Sequence, residues 1–173
     1  MAIKGQGYVK TTWAFEERPV ASSKLNTWDD RIEAALELAF HLLNHAWGGD
    51  SGVLRNATAD DLRVHATTPE SVRVRVEPGY AFISKCPFRM TGPAETGDLA
   101  PPAAQPRIDL VQARLDTWSV QVLTGVESAT PSPPVAGTDC IALAQIYLRP
   151  GMTTIKDADD SVNGYITDVR TFL

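Results

Sequence analysis

The spacing of apolar and polar residues changes once along this chain, and the change divides it. Between residues 28 and 47 the polar side chains Asp30, Glu33, Glu37, His41 and Asn44 recur at steps of three and four. Nearly every other position there is apolar, including Trp28, Ile32, Leu36, Leu38, Phe40, Leu42, Leu43 and Trp47. That is the period of an α-helix. Thr27 precedes the run as a hydroxyl N-cap, Asp29 and Asp30 fill the first turn, and Gly48-Gly49 ends it. A helix from about Trp28 to Trp47, about 30 Å long, is therefore predicted. A surface helix needs an apolar stripe a little over 100° wide, whereas this one is apolar around most of its circumference and needs more than one packing partner. With no second long helix in the sequence to cover its other face, a helix shared between subunits is expected.

Beyond Gly52 the period becomes two. Leu62, Val64 and Ala66 alternate with Arg63 and His65, and Val72, Val74 and Val76 alternate with Arg73, Arg75 and Glu77. Both stretches read as half-buried antiparallel strands joined by a Thr-Pro turn. Further strands are predicted at Tyr80 to Ser84, at Arg107 to Asp116 paired with Trp118 to Thr124, at Cys140 to Leu148, at Met152 to Ile155 and at Tyr165 to Leu173. Cys140 to Leu148 is apolar on both faces apart from Gln145 and is expected at the centre of a sheet. Residues 91–106 and 128–134 are proline-rich and read as surface connections. A helix followed by strands, without βαβ alternation, predicts an α+β chain: an N-terminal extended arm (1–27), one long docking helix (28–48) and an antiparallel β-sandwich or barrel domain (53–173). The arm has no sustained period, yet Trp13, Phe15 and Val20 are apolar groups that need a surface to lie on.

Composition narrows the partners. The chain has 173 residues with a formal net charge of -5 and a pI near 5.1, which supplies no general pull on phosphate backbones, so nucleic acid is not expected. No apolar run approaches the roughly 20 residues that span a bilayer, and residues 1–12 lack the apolar core of a secretory signal. Neither membrane nor export is expected, and two cysteines, Cys86 and Cys140, form no disulfide framework. Cys140 reads as a small buried hydrophobe.

Candidate chemistry is sparse. His41 and His45 stand at i and i+4, but Leu42 occupies the place where a catalytic zinc helix carries glutamate, so they read as polar helix-face residues. Asp157, Asp159 and Asp160 before Asn163-Gly164 suggest a calcium loop, yet Val162 and Asp168 stand where that loop needs glycine and glutamate; a solvated acidic turn is expected. Asp98, Asp109 and Asp116 are the carboxylates from which a glycan-cleaving pair would have to come. The sequon at Asn56 matters only in a secretory pathway. Arg63, His65, Arg73 and Arg75 share the outward face of adjacent strands and are expected to cluster as a basic patch, either solvated or docked on an acidic surface. No catalytic, cofactor-binding or metal-binding residue is assigned. The candidate interface residues are Trp13 and Phe15 on the arm, Trp28, Leu38, Leu42 and Trp47 on the helix, and Arg63, Arg73 and Arg75 on the strands.

An ordered set of short motifs runs through the β region: Val76-Glu77-Pro78-Gly79-Tyr80-Ala81-Phe82-Ile83; Pro106-Arg107-Ile108-Asp109-Leu110-Val111 with Arg114 and Asp116; Val122 to Gly125 before Pro131 to Pro134; Ile141 to Ile146; Pro150-Gly151; and Ile166-Thr167-Asp168-Val169-Arg170. Placed after the helix, this order resembles structural components of tailed-bacteriophage tails, especially the attachment domains of baseplate and tail-fibre proteins. The resemblance implies a mechanical, non-enzymatic role: a small oligomeric β-domain, with three copies expected, joining tail or baseplate to a fibre, spike or receptor-binding subunit. It implies a virion location with assembly in the host cytoplasm. A chain of this length, ending at Leu173, is expected to be an adaptor rather than a complete fibre. The alternative is a carbohydrate-binding β-module for host-surface glycans, with Trp118 and Tyr147 as its aromatic platform.

Overall fold

The computed structural model describes residues 21–55 and 57–173. The chain divides into two units, Met1–Gly49 and Asp50–Leu173, each described by itself. The arm residues Trp13, Phe15 and Val20, and Asn56 of the sequon, lie outside the described residues.

The first unit contains one helix, α1 (Ser22–Ala46), of 25 residues. It starts six residues before the expected Trp28, because nothing from Ser22 to Asn26 breaks a helix and Lys24 and Leu25 favour one. Ala21 is the N-cap in an extended conformation, without a side-chain capping bond. Thr27 therefore caps nothing: it lies inside the helix and its hydroxyl donates to the Ser23 carbonyl at 2.8 Å, the i−4 bond open to any helical threonine. The C-terminal end is as expected. Gly48 and Gly49 take φ of +101° and +81°, and the Gly49 amide donates to the Asn44 carbonyl at 2.8 Å, closing carbonyls that the last turn leaves open.

The second unit is all β. Its strands are β1 (Gly52–Val53), β2 (Val64–Ala66), β3 (Val74–Val76), β4 (Gly79–Ile83), β5 (Cys86–Met90), β6 (Ala94–Glu95), β7 (Arg107–Arg114), β8 (Ser119–Leu123), β9 (Cys140–Leu148), β10 (Ile155–Lys156) and β11 (Gly164–Asp168). They form three sheets, ordered β1-β4-β5, β10-β11-β9-β7-β8 and β2-β3-β6, none of them closed. The chain is thus α+β. All three sheets contribute to one apolar core, among whose residues are Val53, Val64, Val76, Ile83, Phe88, Val111, Ile146 and Ile155.

Cys140 to Leu148 is the central strand of the five-stranded sheet, as its apolar run predicts. Its register explains that run. Pairing between β7 and β9 shifts between Val111 and Gln112, which leaves Leu143 as an extra residue and buries Leu143 and Ala144 side by side. Beyond this bulge the inward set changes parity, from Ile141 and Leu143 to Ala144, Ile146 and Leu148. Other boundaries differ from expectation. β1 and β5 fall in stretches where no element is predicted, and β6 lies inside the predicted surface loop of residues 91–106: β1 and β6 are two-residue edge pairings that leave no periodic trace, and in β5 Pro87 interrupts the alternation. Tyr165 to Leu173 is not one strand: β11 ends at Asp168, and the last residues clasp β1 instead. The Val53 amide donates to the Thr171 carbonyl at 2.8 Å and the Leu173 amide to the Val53 carbonyl at 3.1 Å. A Cβ on Gly52 would stand 2.9 Å from that Thr171 oxygen, so the clasp requires glycine there.

Candidate functional site

On α1 and its C-cap Trp47, six large apolar side chains, Leu25, Trp28, Leu36, Leu42, Leu43 and Trp47, are each between 42% and 57% exposed. Three of the four predicted helix contacts, Trp28, Leu42 and Trp47, are in that set, whereas Leu38 is half-buried. Leu25, Leu36 and Leu43 were not singled out by pattern. Outside the polar stripe the apolar positions within the predicted boundaries look alike, and only the earlier start brings Leu25 into the helix. Exposed leucines at helical spacing normally mark a surface that something else covers. His41 and His45 lie side by side with ring centroids 6.4 Å apart. Among the described residues, no group of three or more His, Cys, Asp or Glu side chains is placed to hold a metal ion.

The strand face read as basic is a mixed network instead. Arg63 pairs with Asp60 at 3.2 Å, Arg73 with Asp98, and Arg75 with Glu77 at 3.0 Å. His65 Nε2 lies 2.7 Å from Glu77 Oε1 while its Nδ1 lies 2.9 Å from the Ala66 carbonyl oxygen. Each cation of the expected patch therefore faces a carboxylate, and the surplus of positive charge is lost. The reason is tertiary. Glu77 follows β3 in sequence, but Asp98 comes from the connection after β6. The His65 hydrogen bond, aided by Arg75 and opposed by burial, holds the Glu77 carboxyl below its ordinary range. A cleft of about 460 Å³ opens over Asp60, Arg63, His65, Glu77, Pro78 and Asp157. Asp157 arrives there from far along the chain and accepts the Ala66 amide at 2.7 Å. Behind it, Arg170 donates to the carbonyls of Ala59 and Asp61 at 3.0 and 2.6 Å.

The acidic turn is held by its own backbone. Asp160 accepts the amides of Val162 and Asn163 at 2.9 and 2.7 Å and the Asn163 side-chain amide at 2.8 Å. These bonds, led by the Asn163 side chain, hold its carboxyl far below the usual range. Asp159 accepts the Ser161 amide and pairs with Arg149. Asp98, Asp109 and Asp116 are each held by an arginine of their own: Arg73, Arg107 and Arg114.

Trp118 and Tyr147 do not share a platform. Trp118, at the β7–β8 turn with φ of +49°, stacks on the buried Phe88. Tyr147 stands near the opposite end of β9, against Tyr165 at 5.2 Å, with the Arg149 guanidinium over both rings. Cys86 and Cys140 are free thiols and both are half-buried. Cys140 faces out beside Arg114 and donates to the Thr138 carbonyl, so it is not the core hydrophobe expected from its apolar strand. No protein-family model matches the chain, and neither a curated protein nor a solved structure matches it.

Proposed function

We propose that this protein is a structural component of a phage tail or baseplate, an oligomeric adaptor that joins the tail to fibres, spikes or receptor-binding subunits. One observation carries the reading: a 25-residue helix, in a unit distinct from the β unit, leaves Leu25, Leu36, Leu42 and Leu43 between 44% and 57% exposed. An assembly element of this kind joined to a rigid β-domain suits a part completed by its neighbours. In this reading the three sheets around one core act as a sandwich-like presenting domain, and the polar strand face serves its stability rather than chemistry. The ordered motifs of the β region add the tail assignment by resemblance.

Purified particles test this directly. Peptides of the chain are expected in the tail fraction, and a Leu36→Asp chain is expected to be excluded from it, because a carboxylate buried in an interface without a partner costs several kcal/mol, at least ~2. Absence of the chain from tails, or unimpaired incorporation of the variant, overturns the proposal.

A further inference from the structure

Three open sheets present six strand edges, each a row of backbone amides and carbonyls that another strand can pair with. Five of them are closed or guarded. β1 is clasped by Thr171 and Leu173, and in β10 the Ile155 amide donates to the Ser71 carbonyl at 2.8 Å. β2 gives its Ala66 amide to the Asp157 carboxylate. β6 is two residues long and ends in Glu95, and β5 carries Pro87 and Arg89. Shortness, charge and proline are the devices that keep an edge from pairing.

β8 has none of these. It runs five residues in unbroken register with β7, and among the described residues no group outside β7 bonds to its backbone. The ten residues from Thr117 to Val126 include neither a charge nor a proline. Val120 and Val122 lie half-buried against the apolar core. On the other face the Gln121 side-chain oxygen accepts from Gln112 at 3.1 Å and from Arg114 at 3.2 Å.

The order Ser119-Val120-Gln121-Val122-Leu123 reads nearly the same in both directions. An antiparallel two-fold pairing centred on Gln121 therefore matches all five residues. Each Val120 stands opposite Val122 of the other copy, the two Gln121 face each other, and Ser119 meets Leu123. The core faces of the two strands align, β-branched residues oppose β-branched residues, and no charge is left against an uncharged neighbour. Pairing with β5 or β6 of another copy would instead set Arg89 or Glu95 against this row. Five residues make an edge only about 17 Å long, so the pairing is weaker than a standard interface and adds to contacts that already bring copies together.

We infer that the β8 edge pairs with β8 of a second copy, antiparallel about a two-fold axis at Gln121, so that two five-stranded sheets become one continuous sheet. The contact goes beyond the adaptor reading and uses no residue of α1.

The test uses the full chain with Cys86→Ser and Cys140→Ser. In this background Gln121→Cys is expected to form a disulfide with Gln121→Cys of another copy under mild oxidation, because directly opposed residues stand about 4.5–5.5 Å apart, within disulfide reach. Chains with Ser119→Cys and chains with Leu123→Cys are expected to join each other rather than themselves. Self-joining of each is the mark of parallel pairing and overturns the inference. Adding Gln121→Lys to both chains of the mixed pair is expected to cut its yield several-fold at low salt, since like charges then meet at the axis. Gln121→Lys on one chain with Gln121→Glu on the other is expected to restore it. An unchanged yield with Gln121→Lys on both, or no Gln121→Cys disulfide at loadings of about 1 mM, overturns the inference even if the chain is found in tails. A chain that crosslinks as described but is missing from tails overturns the proposed function and leaves the inference standing.

Discussion

Asp109 shows how a residue that reads as chemistry can be structure. It is fully buried near the start of β7, where Arg107 forks onto both of its oxygens at 2.9 and 3.2 Å and the Gly125 amide donates to it at 2.9 Å. Arg107 also reaches the Ala100 carbonyl at 2.7 Å, so the pair ties both flanking connections to the sheet. Asp109→Ala leaves a largely buried guanidinium unpaired and is expected to cost about 3–5 kcal/mol, read as a lowered urea midpoint. A cost under about 1 kcal/mol would show that the pair is dispensable. Glu77 makes a second prediction. Its folded carboxyl titrates below the ordinary value of 4.5, so its stabilising contribution is full above that pH and is lost as the pH falls through the lowered folded value. Glu77→Gln removes a contribution that acid would otherwise remove, so the variant's melting temperature is expected to fall less steeply below pH about 4.5; an unchanged acid slope would contradict this. The individual residues of this network were all legible in the sequence, but their pairing was not. Arg63, His65, Arg73 and Arg75 were placed on one face by alternation, whereas Asp98 and Asp157 reach that face only through the fold.

At the level of elements, α1 illustrates the ambiguity of a capping signal. Thr27 followed by acidic residues has the chemistry of a helix start, but the same hydroxyl satisfies itself on the Ser23 carbonyl once the helix begins earlier. Thr27→Ala is therefore expected to change helix stability by no more than about 0.5 kcal/mol, against the roughly 1 kcal/mol that loss of a true cap costs. Ala21→Ser, which gives the actual N-cap an oxygen acceptor, is expected to stabilise the helix by about 1 kcal/mol. Thermal melts followed by far-ultraviolet circular dichroism measure both, and the opposite order would restore Thr27 as the cap. Among the strands, those with four or more alternating residues were readable to within a few positions. β1 and β6 were not, since two residues carry no period.

At the scale of the molecule, the division at Gly49 and Asp50 makes the β unit separable. β1 begins at Gly52 and is clasped by Thr171 and Leu173, so a cut before Asp50 leaves every strand pairing of that unit in place. Residues 50–173 are expected to unfold in one cooperative urea transition. A chain that is unfolded without residues 1–49 would mean that the first unit supplies part of its core. The division, the helix and the α+β order follow from the sequence by itself, because the hydrophobic period changes from 3.6 to 2 at a glycine pair and periodicity is a local property of the chain. Three things were decided only by the tertiary structure: the arrangement of the strands in three open sheets, the neutralisation of the arginine face, and which apolar side chains of a helix apolar nearly all round stay exposed. Each depends on groups brought together from distant positions, and no local pattern encodes which distant carboxylate meets which arginine or which side of a helix remains in water.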